Sequence, residues 1–522
     1  MPLPRLHPDG RGACCARDSV LLAVYAPFGT DANLSTFPDG SSQQLIQHPL
    51  VQSLLKVAAC GTNVMALIDR QADDTYLVQI PAGKPTEIHV TSRWKQDMVS
   101  PNNLRGFLQH AARMHPSSSI VLALEGHGAG FLPDLDRSQL TPQKMTDNGA
   151  FEWRIEATKF VPVRGDGSPV LPGGFPGLPG GFPGLPANHM PMTTFGLGAA
   201  LKTAIEAGIP KLAVIHFNNC FNMSVELLHT VAPYAEYATG YINYNFFTAG
   251  VSYPAVFERL KNQGTATPGE LASWFALENG AFLAAKKHHP TVGCSVDLRR
   301  MQQIADRVDG LSDALLAALH VPSDAQRDSV VESIKQAIIR AQQLDTGGNM
   351  ELETPDQMTD LLSFAHELQA ENFGPFKVVE MAAALEESLD LDLNRQPAPI
   401  KQYGARDQPW TLPPALWDFS SSRLAMSIFL PDPLNEGLWD WRSPYYMSVT
   451  PTPVQPNVID FLQVTNWVDF LVEYHRKAPF VGILPAVIPE YPVFNKDSDE
   501  LEYPDPSYPC RPGKTPRGMK GS

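Results

Sequence analysis

The sequence predicts an α/β protein: a mostly parallel sheet flanked by helices, then a helical block and an additional C-terminal α+β region. Three observations predict it. Over the first quarter of the chain, short apolar runs alternate with segments of helical spacing, the pattern of parallel strands joined by right-handed crossovers. Two apolar runs end in polar residues: SSIVLALEGHGAG leads to Gly126-His127-Gly128, and KLAVIHFNNCFNMS to Asn218-Asn219-Cys220. Beyond about residue 300, helical patterns follow one another, and a strand signal returns only near residue 424.

Taken in order, SVLLAVYAP (19–27) is a continuous apolar run and reads as a buried central strand. FGTDANLST is a polar loop, and QQLIQHPLVQSLLKVAA carries Leu45, Leu50, Val51, Leu54, Leu55 and Ala58 at helical spacing. TNVMALIDR is the next strand, and TYLVQI with TEIHVT forms a hairpin. NNLRGFLQHAARMH is a helix with Leu104, Phe107 and Leu108 on one face, and SIVLALEG the strand that delivers His127. TTFGLGAALKTAIEAG is a helix before the Cys220 strand, whose apolar core is 212–217. FNMSVELLHTVAPYA is then a helix with Val225, Leu228 and Val231 inward, EYATGYINY a strand, and Gly250-Val251-Ser252-Tyr253-Pro254 a loop.

GELASWFALENGAFLAAKK, MQQIADRVDGLSDALLAALH, RDSVVESIKQAIIRAQQL, MTDLLSFAHELQAE and FKVVEMAAALEESLDL are helices. LAMSIFL (424–430) is a strand and TNWVDFLVEYHRK a helix. The organisation expected is a flexible leader (1–18), a sheet domain (19–300), a helical region (301–400), an α+β region (401–480) and an irregular Pro/Tyr-rich tail (481–522). Within the sheet domain, periodicity vanishes over 131–192, where LPGGFPG occurs twice in succession. Such Pro/Gly content suits a loop or linker and no element interior.

Charged residues make up only 18% of the 522, with a formal net charge of −15, which argues against nucleic acid as a partner. No apolar run reaches the ~18 residues a spanning helix needs. MPLPRLHPDGRGACCARDS lacks a signal-peptide core, so the expected location is the cytoplasm. The 6 cysteines (Cys14, Cys15, Cys60, Cys220, Cys294, Cys510) contain no CxxC pair, so neither a zinc site nor a disulfide framework is indicated. His229 and His288-His289 lack metal-ligand spacing. The acidic stretches at Asp73-Asp74 and 134–136 do not make an EF-hand, so no cofactor is expected and Ca²⁺ has no supporting motif.

A thiol at the end of a buried strand, facing the N-terminus of the next helix, has its thiolate favoured by the helix dipole. Cys220 stands in such a place and His127 ends the other strand, which suggests a Cys/His dyad. Taken singly, Cys220 also reads as a buried structural thiol and His127 as a loop histidine capped by glycines. Glu125 is a candidate orienter of His127, although strand alternation can turn it elsewhere. His216, inside its strand, reads as a packed core residue, and Cys294 as structural.

These residues together resemble the clostripain-like family of cysteine peptidases, in the clan that includes caspases, legumain, gingipains and separase. VLLAVYAPFGTDANLS is similar to the family's opening strand and Asp-Asn-Leu loop, and TNVMALIDR to its second strand. NNLRGFLQHAARMHPSSSIVLALEGHGAGF resembles the His-Gly segment, and KLAVIHFNNCFNMSVELLHTVAPYAEYATG the nucleophile segment. CSVDLRRM, MTDLLSFAHEL and SIFLP…FLQVTNWVDFLVEY resemble later landmarks, so the likeness spans 19–130 and 193–475 in family order. Two departures stand out. Asn218-Asn219-Cys220 replaces the usual Asp-Ala-Cys, and Glu125-Gly126 precedes His127 where an Asp is usual.

The resemblance implies a caspase-like fold and an endopeptidase in which Cys220 attacks the peptide carbonyl and His127 moves the proton. It implies an oxyanion hole from the backbone of Gly128 and Cys220, and a specificity pocket bordered by Asn218 and Asn219. The segment 241–251 holds no acid and Asn218 is neutral, so the family's preference for Arg and Lys is not carried over. Relatives mature by cleavage between the two strands, which makes 131–192, with Lys144, Arg154, Lys159 and Arg164, a candidate activation linker. The partners implied are a protein substrate and a regulatory protein. By analogy alone, bacterial relatives act in defence, for example by cutting a pore-forming gasdermin. A different class remains open: an inactive caspase-like scaffold that binds protein partners.

Overall fold

The computed structural model describes residues 15–16, 19–29, 45–70, 75–91, 98–116, 118–126, 128, 130–134, 192–243, 245, 250–282, 291–342, 344, 358–389, 400–403, 424–430, 443–447, 449–453, 455–477, 493–495 and 500–502. Outside the described residues lie the loop 30–36, Asp73-Asp74, His127, the insertion from 135 to 191, and most of the leader and tail. The strands used below are β1 (Val20–Gly29), β2 (Asn63–Arg70), β3 (Thr75–Ile80), β4 (His89–Thr91), β5 (Ser119–Glu125), β6 (Leu212–Asn218), β7 (Ala235–Tyr241), β8 (Thr291–Asp297), β9 (Met358–Asp360), β10 (Ile400–Tyr403) and β11 (Ser427–Phe429). The helices are α1 (Pro49–Ala59), α2 (Pro101–Met114), α3 (Thr194–Glu206), α4 (Val225–Val231), α5 (Tyr253–Gln263), α6 (Pro268–Phe282), α7 (Met301–Leu319), α8 (Asp324–Arg340), α9 (Leu361–Leu368), α10 (Val378–Leu389), α11 (Asp460–Val464) and α12 (Trp467–Lys477).

Among the described residues, all of these strands but β9 and β11 join one 9-stranded sheet, ordered β10-β8-β7-β6-β5-β1-β2-β3-β4. The central strands β7, β6, β5, β1 and β2 are mutually parallel. The edges turn antiparallel, β3 and β4 on one side and β8 and β10 on the other. The expected mostly parallel sheet is therefore present, including the 75–80/89–91 hairpin.

Alternation along each strand sends its side chains to two cores. Val20, Leu22 and Val24 pack with α1, α5 and α6, whereas Leu21, Ala23 and Tyr25 face the layer that holds α2, α3 and α4. That second core continues without a break through α7, α8, α9 and α10 to Trp467 and Tyr474 of α12. The helical block and the C-terminal region thus share one apolar interior with one face of the sheet.

Several elements differ from the sequence reading. The expected loop at Tyr253-Pro254 opens α5, because Pro254 stands in the helix's first turn, where its missing N–H costs nothing. Tyr253, Val256, Phe257 and Leu260 then line one buried face. β8 is not evident in the sequence, because Gly293 interrupts its apolar pattern; the strand approaches α6 so closely there that a Cβ would stand 3.1 Å from the Ala276 carbonyl oxygen. The helix expected from Met358 begins at Leu361 instead. Asp360 caps it, accepting from the Ser363 N–H at 2.7 Å, and the residues before the cap pair with β11. In the tail read as irregular, Val493–Asn495 pairs antiparallel with Glu500–Glu502. Cys15–Ala16 of the leader pairs with Thr265–Ala266.

Candidate active site

β5 and β6 run side by side in parallel register, with Glu125 opposite Asn218 at their C-terminal ends. The chain turns sharply just past β6. Phe221, the residue after Cys220, has φ 59, a left-handed conformation that side chains other than glycine rarely adopt. Bonds across to the end of β7 hold it there, Phe221 N–H to Asn243 O at 3.0 Å and Met223 N–H to Tyr241 O at 3.2 Å. Ser224 then caps α4, its hydroxyl accepting from the Leu227 N–H.

The Cys220 side chain is partly exposed at this turn. Its sulfur accepts from the Asn245 N–H at 3.3 Å, and its thiol donates to the Asn245 carbonyl at 3.3 Å. Gly128, two positions before Gly130 in the loop after β5, lies against the backbone of Cys220. A Cβ at 128 would overlap the Cys220 carbonyl oxygen and stand 2.8 Å from its nitrogen. The loop is also tied by side chains. Asn222 Oδ1 accepts from the Gly130 N–H at 3.1 Å, and Asn222 Nδ2 donates to Asn219 Oδ1 at 2.8 Å.

Beneath the turn sits a buried polar network. Asn218 Nδ2 donates to Glu125 Oε2 at 2.9 Å, and Asn218 Oδ1 accepts from Asn245 Nδ2 at 2.9 Å and from Asn279 Nδ2 at 3.3 Å. The Tyr253 hydroxyl of α5 donates to Glu125 Oε1, and Asn279 of α6 contacts the Tyr241 hydroxyl. Glu125 is 2% exposed, and burial pushes its pKa up to about 7 even though Tyr253 and Asn218 hydrogen-bond its oxygens.

The structure thus brings Gly128, Cys220, Glu125, Asn218 and Asn219 to the paired ends of two strands. His127 lies outside the described residues, between Gly126 and Gly128. Among the described residues, Glu125 hydrogen-bonds with Asn218 and Tyr253. Asn218 and Asn219, read as pocket residues, are each 3% exposed. Asn218 belongs to the buried network, and Asn219 borders a cavity of about 40 Å³ with Leu124, Leu132, Leu197 and Leu227. His216 packs in the core, its ring 4.5 Å from Phe275, and burial pushes its pKa down to about 3. Cys294 is fully buried in β8, where burial raises its thiol pKa.

Asn245, Tyr253 and Asn279 were not singled out in the sequence. They come from three separate segments, and none follows a motif. Among the described residues, no group of three or more His, Cys, Asp or Glu is arranged to hold a metal ion, and no helix is long and apolar enough to cross a membrane.

Five parallel strands with antiparallel edges, helices on both faces and a cysteine at a central strand end define an α/β protein of caspase-like architecture. In structure it is similar to clostripain-like (C11) cysteine proteases. One is iotapain, a secreted C11 cysteine protease from Bacteroides thetaiotaomicron, with TM-score 0.45 and 13% identity over 74% of this chain and 87% of that one. A second structure of a secreted C11 cysteine protease from that organism, in complex with an irreversible peptide inhibitor, matches at TM-score 0.45 and 13% identity over 79% and 92% of the two chains. An inactive zymogen C11 protease from Parabacteroides distasonis matches at TM-score 0.42 and 12% identity over 88% and 97%. No protein-family model and no curated protein matches the sequence.

Proposed function

We propose that this chain is a caspase-like cysteine endopeptidase acting on a protein substrate. One observation carries the reading: Cys220 and His127 each lie two positions beyond the register pair Glu125–Asn218, and Gly128 beside His127 abuts the Cys220 backbone. In this reading His127 takes the thiol proton as the Cys220 sulfur bonds to the carbonyl carbon, and returns it to the leaving amine. Water then hydrolyses the acyl-enzyme. The backbone N–H groups of Gly128 and Cys220 stabilise the tetrahedral oxyanion, and the absence of a side chain at 128 lets the carbonyl approach them.

The test is turnover of a fluorogenic peptide library by wild type, Cys220→Ala and His127→Ala, which also reads the preferred residue before the cut. Cleavage by wild type alone is expected, and equal turnover by Cys220→Ala overturns the proposal. Self-processing within 131–192 belongs to the same proposal. Fragments on a denaturing gel should appear for wild type and be absent for Cys220→Ala; unchanged fragments in the variant remove it.

A further inference from the structure

We infer that Asn218 is a positioning residue: gripped by Glu125, it holds Asn245, whose backbone brackets the Cys220 sulfur. The inference rests on the reading of Cys220 as nucleophile. Its geometry is a chain of three links. The Asn245 N–H and carbonyl both meet the sulfur at 3.3 Å. Asn245 is 5% exposed, and its side chain donates to Asn218 Oδ1 at 2.9 Å. Asn218 Nδ2 donates to Glu125 Oε2 at 2.9 Å, while the other oxygen of Glu125 accepts from Tyr253. Asn218 is two residues from Cys220, yet its contact with the sulfur is relayed through a residue 25 positions further on from the cysteine.

The donor and acceptor pattern dictates an amide at 218. Glu125 offers acceptors, and Asn245 and Asn279 both present NH₂ groups. Position 218 must therefore donate on one side and accept on the other, which an amide does and a carboxylate cannot. An Asp at 218 would set two carboxyl groups in contact inside the protein, where one must be protonated. The N–H···S bond is the part of the bracket that favours a thiolate, because a donor to a charged acceptor is strengthened when the charge forms. A displaced Asn245 removes it. The pattern also predicts its own repair: exchanging the amide and the acid between 125 and 218 restores a donor facing an acceptor.

The experiment measures iodoacetamide alkylation of Cys220 by peptide mass spectrometry, with Cys60 as internal reference, and hydrogen exchange of the peptide containing Asn245. Asn218→Asp should slow Cys220 at least roughly tenfold, as expected for loss of a hydrogen bond to a charged group, and speed exchange at Asn245. The swap Glu125→Gln/Asn218→Asp should return both to within about threefold of wild type, by the restored pairing. Asn218→Ala, which adds no charge and covers the case that Asn218→Asp does not fold, should slow Cys220 similarly and gain nothing from Glu125→Gln. Unchanged alkylation and exchange in folded Asn218→Asp and Asn218→Ala overturn the inference, as does a swap no better than Asn218→Asp alone. If wild-type Cys220 reacts no faster than Cys60, the nucleophile reading fails, and Asn245 exchange still decides whether Asn218 holds that backbone.

Discussion

The backbone of Gly128 is packed so tightly against that of Cys220 that there is no room between them for a single methyl group. A Cβ at 128 would stand 2.8 Å from the Cys220 nitrogen and overlap its carbonyl oxygen, both backbone atoms that cannot rotate away. Gly128→Ala must therefore separate the two strand ends. Because a misplacement of about 1 Å can cost ~10²-fold in rate, kcat/KM on a peptide substrate should fall by about that factor or more. The circular dichroism spectrum should stay that of wild type, since the sheet register ends at Glu125. A variant within twofold of wild type would show that the contact does not matter to the chemistry.

Glu125 makes a prediction about stability. Its folded-state pKa, raised to about 7 by burial, lies above the ordinary value of 4.5. The unfolded chain therefore gives up its proton first, and this group's contribution to stability is full below about pH 4.5 and lost as pH rises through about 7. Gln does not titrate, so the stability of Glu125→Gln relative to wild type should rise with pH across that window, on top of a pH-independent cost of setting its NH₂ group against the donors of Asn218 and Tyr253. The rise is up to about 3 kcal/mol, because each pH unit between the two values contributes about 1.4 kcal/mol. Asp360, likewise raised to about 7 by burial, is common to both proteins and drops out of the difference. Urea melts of both at pH 4.5, 6 and 7.5 measure it, and a difference independent of pH would contradict the assignment.

The strands that carry Glu125 and Cys220 were legible because each is a short, unbroken apolar run ending in polar residues, and strand alternation needs no distant information. α5 and β8 were not, because Pro254 and Gly293 act as breakers in a local reading and are accommodated by position: the first turn of a helix, and a close approach to α6. The network under Cys220 was illegible for a different reason. Tyr253 and Glu125 meet across 128 positions, and Asn245 and Asn218 across 27, so only the folded sheet makes them neighbours. Asn218 stands out in the sequence only as a neutral residue where the resembled family has an acid. Its reason, the acid supplied by the adjacent strand, became visible only in three dimensions.

The insertion beginning after Asp134 leaves and rejoins the fold at one point. Thr193 Oγ1 donates to Asp134 Oδ1 at 2.8 Å, Leu132 N–H to Thr194 Oγ1 at 2.9 Å, and Asn457 Nδ2 to Asp134 Oδ2 at 2.8 Å. Thr193 also caps α3, accepting from the Gly196 N–H at 3.0 Å. Because these bonds among described residues join the two ends, replacing 136–190 with a short Gly/Ser linker should preserve the fold. A loop shortened roughly sevenfold lowers the closure cost by about 1–2 kcal/mol, so the melting temperature should stay level or rise by a few degrees. Cys220 alkylation should be unchanged. Insoluble protein, or a melting temperature lower by ten degrees or more, would mean that the segment contributes packing of its own.

Glu226 ties the helix after Cys220 to the C-terminal region. It stands in the first turn of α4, fully buried, and its Oε1 accepts from the Phe429 N–H at 2.9 Å and from the Tyr446 hydroxyl at 2.8 Å. Alongside it, the Ser427 N–H donates to Met223 O at 3.0 Å, so β11 is bonded directly to the turn that carries the cysteine. Burial raises the Glu226 pKa, and what the neighbouring donors require is an oxygen in that place. Glu226→Gln keeps the oxygen and should lie within about 1 kcal/mol of wild type, as for a neutral hydrogen bond replacing a charge-assisted one. Glu226→Ala leaves two buried donors without an acceptor and opens a cavity, costing about 3–5 kcal/mol by the usual penalties. Limited proteolysis of Glu226→Ala should then cut within or beside 424–430 before any cut in β5 or β6. Wild-type stability in Glu226→Ala, or first cuts in the central strands, would show that the C-terminal region is held to the sheet by other contacts.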